Sequence, residues 1–70
     1  MKVNLNSADR LPELIRDLAA ASCFVRQLDE TSCNVRLIGR RDAEAALVEL
    51  SFFVAAWARA RPGVEATVTR

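Results

Sequence analysis

Between Ala43 and Ala58 the run Asp42–Arg61, DAEAALVELSFFVAAWARAR, carries only two charges, Glu44 and Glu49, and it halts at Pro62-Gly63. As a helix, so apolar a segment has more surface to shield from water than one small sheet readily covers. At 100° per residue, Ala43, Ala46, Leu47, Leu50, Phe53, Val54 and Trp57 fall in an arc about 120° wide, the stripe a helix turns to a core. Asp42 is placed to accept hydrogen bonds from the free amides of the first turn. Glu44 suits the positive end of the helix dipole, and Arg59 and Arg61 suit the negative end. Roughly opposite the core arc lie Val48 and Phe52, an i,i+4 pair with Ala45, Ala55 and Ala56 around it and Glu44, Glu49 and Arg59 at the rim. This second apolar stripe is the least ordinary feature of the chain.

The rest of the sequence supplies the elements such a helix needs. Val3 and Leu5 alternate with Lys2, Asn4 and Asn6, which predicts a strand over residues 1–6. After a polar connection, Pro12 fits only the first turn of a helix, with Asp9 or Arg10 at its cap. Leu11, Leu14, Ile15, Leu18 and Ala19 then repeat at helical spacing, so a helix is expected over 10–21, with Glu13, Arg16 and Asp17 pointing away from the core. Residues 23–28 and 33–38 are β-favouring runs joined by Asp29-Glu30-Thr31-Ser32, which reads as a hairpin. Cys23, Val25, Cys33, Val35 and Leu37 face inward and Phe24, Arg26, Asn34, Arg36 and Ile38 outward; Leu28 breaks the parity, which predicts a bulge near the turn. Gly39 ends that strand, and Arg40-Arg41 lead into the long helix. Beyond Gly63, Val64, Ala66 and Val68 alternate with Glu65, Thr67 and Thr69 as a last strand.

The resulting order, βαββαβ, contains two β-α-β halves without a linker. Right-handed crossovers place both helices on one face of a four-stranded antiparallel sheet of order 4-1-3-2, an α+β ferredoxin-like sandwich forming a single domain over residues 1–70. A chain of 70 residues buries only about 60% of the surface its unfolded form exposes, so association is a common remedy for modest stability.

Composition and motifs exclude much. A net charge of +1 implies no general attraction to nucleic acid or to an anionic membrane. No run reaches the ~20 apolar residues of a membrane span and the N-terminus lacks a secretory core, so a cytoplasmic location is expected. Cys23 and Cys33 are then expected to be reduced thiols, and without histidine two cysteines ten apart do not complete a zinc shell. Metal chaperones of this shape carry Cys-x-x-Cys after the first strand, where this chain has Asn6-Ser7-Ala8-Asp9-Arg10. Acylphosphatases use a glycine-rich cradle there, and this loop has no glycine to set beside Arg10 and Asn34. RNA-recognition motifs stack bases on aromatics of the two central strands, whose outward positions here are Lys2, Asn4, Asn34, Arg36 and Ile38. With no His, no Tyr and no activated nucleophile, neither an enzyme nor a bound cofactor is expected.

Two surfaces are left. The outer helix stripe, Val48 and Phe52 with Ala45, Ala55 and Ala56, predicts a protein-interaction module, in its simplest form a homodimer. The open sheet face gathers Lys2, Arg26, Asn34 and Arg36, where like charges repel unless an anion lies between them; this predicts, as the alternative, a regulatory domain that senses an anionic metabolite.

Overall fold

The computed structural model describes residues 1–39 and 42–70, so the Arg40-Arg41 connection lies outside the described residues. The elements follow in the order β1 (Lys2–Leu5), α1 (Leu11–Ala20), β2 (Cys23–Gln27), β3 (Ser32–Leu37), α2 (Ala43–Arg59) and β4 (Ala66–Thr69). The strands form one sheet of order β2-β3-β1-β4, which read from its other edge is 4-1-3-2, and all three pairings are antiparallel. With both helices packed on one face, the chain is a ferredoxin-like α+β sandwich.

Alternation dictates the packing. Val3, Leu5, Cys33 and Val35 point from the central strands into one core, where Leu11, Leu14 and Leu18 of α1 and Leu50, Val54 and Trp57 of α2 meet them. Cys23, Val25, Ile15 and Phe53 close its margins. At the β2–β3 turn both Leu28 and Asp29 donate their amides to the Ser32 carbonyl, at 2.9 and 3.3 Å, the two-against-one pairing of a bulge at the residue that breaks parity. Ser32, expected in the turn, instead opens β3 and is buried.

Local chemistry sets the helix ends. Asp42 Oδ1 accepts from the Glu44 and Ala45 amides at 3.0 and 3.4 Å, the cap its position predicts. At α1 the N-cap is Arg10, one of the two positions expected, and its side chain makes no capping bond. A 3-10 turn over Ala8–Arg10 runs directly into the helix, with Pro12 in its first turn.

Several facing expectations are corrected. Ala19 and Ala43 are exposed rather than part of the core: Ala19 sits at the edge of its apolar arc, and Ala43 is the first residue of α2, at the open end of the helix. Glu13 and Asp17 do not point away from the fold. They turn toward the C-terminal end of α2, where Asp17 Oδ2 accepts the Trp57 indole N–H at 2.9 Å and Glu13 Oε1 takes two bonds from Arg61, at 2.8 and 3.1 Å. Arg61 also donates to the Trp57 carbonyl at 2.8 Å, and its guanidinium lies 4.1 Å from the Trp57 ring centroid. The arginine placed near the helix end to complement its dipole therefore also ties α2 to α1.

Candidate functional site

The outer stripe of α2 is where the fold leaves apolar surface uncovered. Ala46, Leu50, Val54 and Trp57 turn their faces to the core, and the 100° step between residues then carries Val48 and Phe52 to the opposite side. Phe52 is 74% exposed and Val48 54%. They line a shallow concavity of about 350 Å³ together with Leu47, Ser51 and Ala55. The Ser51 hydroxyl adds little polarity, because it is already bonded to the Leu47 carbonyl at 2.7 Å. Ala45 and Ala56 are exposed too but lie outside the concavity, on the Glu49 side of the stripe. Leu47 and Ser51 are the two lining residues that sequence reasoning did not assign to this surface. Leu47, expected in the core arc, is half-buried and divides its surface between core and stripe.

Charge marks the ends of the stripe. Glu44 lies one turn before Val48, and Arg59 lies almost two turns after Phe52 on the same side of the helix. Glu44 meets Arg70 at 3.2 Å through side chains that are both largely exposed, and Arg59 is in no ion pair among the described residues. A contact between two such exposed groups contributes little and is easily exchanged for another partner.

The second set of predicted residues lies on the opposite side of the molecule. Arg26 pairs with Asn34 and Asn34 with Lys2, so these three form one row across the outer face, and Phe24 pairs with Arg36 in the adjoining row. Lys2, Arg26, Asn34 and Arg36 are all exposed, and the Arg36 guanidinium stands 5.2 Å from the Phe24 ring centroid. The structure thus brings the four predicted residues together and adds Phe24 to them.

The thiols sit apart from both surfaces. Register pairs Cys23 with Leu37 and Cys33 with Gln27, an offset of four positions along β3. That is about 13 Å along the strand, too far to bridge. Both cysteines are free. Burial pushes both thiols above their usual pKa, helped at Cys23 by the Glu49 charge, so the thiolate that would do chemistry is disfavoured. Among the described residues no three of His, Cys, Asp and Glu gather as a metal site requires, and no described helix is long and apolar enough to cross a membrane.

Set against known proteins, the chain matches no described family, no curated protein and no solved structure. The functional reading therefore rests on the chain's own surfaces.

Proposed function

We propose that this protein is a small non-enzymatic interaction module that associates with a second copy of itself through the outer face of α2. The observation that carries the reading is the exposure of Phe52 and Val48, at 74% and 54%, on a helix already committed to the core by its other side. Covering each of these side chains contributes roughly 1.5 to 3 kcal/mol. Ala55 beside them lets another helix approach closely.

Charge favours a second copy over an unrelated partner. When two α2 helices pack antiparallel about a two-fold axis passing between Ser51 and Phe52, Val48 faces the partner's Ala55 and Glu44 faces the partner's Arg59. The helix dipoles also oppose favourably. The stripe is complementary to itself, acidic where its copy is basic. A single helix pair buries less than the ~1,600 Å² of a standard stable interface, so the dimer is weak, with a dissociation constant on the order of 10 μM.

Charge reversal tests this pairing by sedimentation across a concentration series. Glu44→Arg and Arg59→Glu should each weaken the dimer about fivefold to tenfold, and the two together should restore it. Equal weakening in the double variant would contradict the antiparallel arrangement.

A further inference from the structure

The outer face of the sheet has a composition that solvation alone does not call for. None of the four strands contains a carboxylate, although the chain has nine Asp and Glu residues. Lys2, Arg26 and Arg36 share this face, and among the described residues none of them is in an ion pair. The register sets Arg26 and Arg36 diagonally across the hairpin, about 7 Å apart at their Cβ atoms, near enough to repel each other and to bracket one anionic group. Lys2 and Arg26 flank Asn34 in the same row, one strand away on either side and about 10 Å from each other.

Asn34 is oriented by its neighbour. The Met1 nitrogen, which only donates, lies 3.2 Å from Asn34 Oδ1, so the carbonyl end of that amide is engaged and its NH₂ end is left to donate to something else. Phe24 then supplies what a simple anion site does not need. It is 57% exposed and stands beside both arginines, opposite Arg36 and two residues before Arg26 on the same strand. With Arg36 against its ring, the aromatic and the cation form one continuous surface. Phe24, Val25, Arg26, Asn34 and Arg36 line a hollow of about 370 Å³, within the range of small-molecule sites.

We infer that this hollow binds a nucleoside phosphate, its flat base stacked on Phe24 and its phosphate chain held between Arg26 and Arg36, with the Asn34 amide donating to a phosphate oxygen. The pairing of one aromatic face with two bracketing cations fits a ligand that has one planar apolar ring and one anionic chain. An acidic peptide offers the charge without the ring. A nucleic-acid strand would stack successive bases, and the outward residues of the central strands, Lys2, Asn4, Asn34 and Arg36 among them, include no aromatic. The inference extends the anion-sensing reading of this face by naming the class of ligand. It is independent of self-association, which uses the opposite side of the molecule.

Calorimetric titration of the purified chain with ADP, pyrophosphate and a single-stranded hexanucleotide, each at low and high salt, tests it. The shallow hollow predicts ADP binding with a dissociation constant on the order of 100 μM, weakened by salt. Phe24→Ala should weaken ADP binding about tenfold and leave pyrophosphate binding unchanged, whereas Arg36→Glu should weaken both by about tenfold or more. Both side chains are exposed, so the variants should keep the native thermal melt. Val48→Glu and Phe52→Glu should bind ADP as the native chain does, which separates this site from the helix interface. Absence of ADP binding at millimolar concentration, loss of pyrophosphate and ADP binding in equal measure on Phe24→Ala, or binding of the hexanucleotide alone would each overturn the assignment.

Discussion

Ser22 shows how a single residue can be asked to do another's work. It follows α1 with φ +64, in the left-handed region that favours glycine, while its amide donates to the Ala19 carbonyl at 3.2 Å and its carbonyl accepts from Ile38 at 3.2 Å. The position closes α1 and anchors the far end of β3, so its conformation is imposed by both. A side chain there costs about 1 kcal/mol. Ser22→Gly should therefore stabilise the protein by about 0.5 to 1 kcal/mol in urea denaturation, and an unchanged or lower midpoint would show that the left-handed turn carries no strain. Nothing in the sequence flags Ser22, since serine is ordinary after a helix. Asp42 is the opposite case. Its cap depends only on the next three residues, and for that reason it could be read directly from the chain.

Between elements, legibility falls off with separation along the chain. The strands, the helices and their inward faces follow from periods of two and 3.6, which are local properties. The tie between α1 and α2 is not local: Trp57 and Asp17 are 40 positions apart, and Arg61 and Glu13 are 48 apart. A general signal did exist, because a core tryptophan needs an acceptor for its indole N–H, but choosing Asp17 requires knowing how the helices sit. The tie has a pH signature. The Arg61 guanidinium bonded to Glu13, and the Trp57 indole N–H bonded to Asp17, hold both carboxyls below their usual pKa. The unfolded chain thus takes up protons at a higher pH than the folded one. The stabilisation is complete above the ordinary carboxyl range and is lost as pH falls through that range to the lowered pKa values of the folded state. The melting temperature should drop across that window, and Arg61→Gln should melt lower at pH 7 with a shallower acid drop. An equally steep drop in Arg61→Gln would show that the tie is not the group titrating. The outer stripe was legible for the same reason as the core, since its residues also sit at helical spacing. Its true centre, shifted toward Leu47 and Ser51, depends on how α2 is rolled against the sheet.

At the scale of the whole molecule the fold divides its tasks between two sides. A thin sheet covers one side of each helix and presents its outer face, with three cations and no Asp or Glu in its strands, away from them. α1 is strongly one-sided and is satisfied by that arrangement, whereas α2 is more apolar and less one-sided, so it is not. Among the described residues no element lies over Val48 and Phe52. The proposed self-association through α2 would remove this surface with groups the protein already carries. The most direct measurement is sedimentation of the native chain and of the Val48→Glu/Phe52→Glu variant from about 1 to 500 μM, a range chosen to bracket the expected constant. The account predicts a native chain that passes from monomer to dimer within that range, its apolar contact surviving high salt while the screened Glu44–Arg59 contacts weaken it only in part, and a variant that stays monomeric throughout with an unchanged fold. A native chain that remains monomeric at the highest concentration would contradict it.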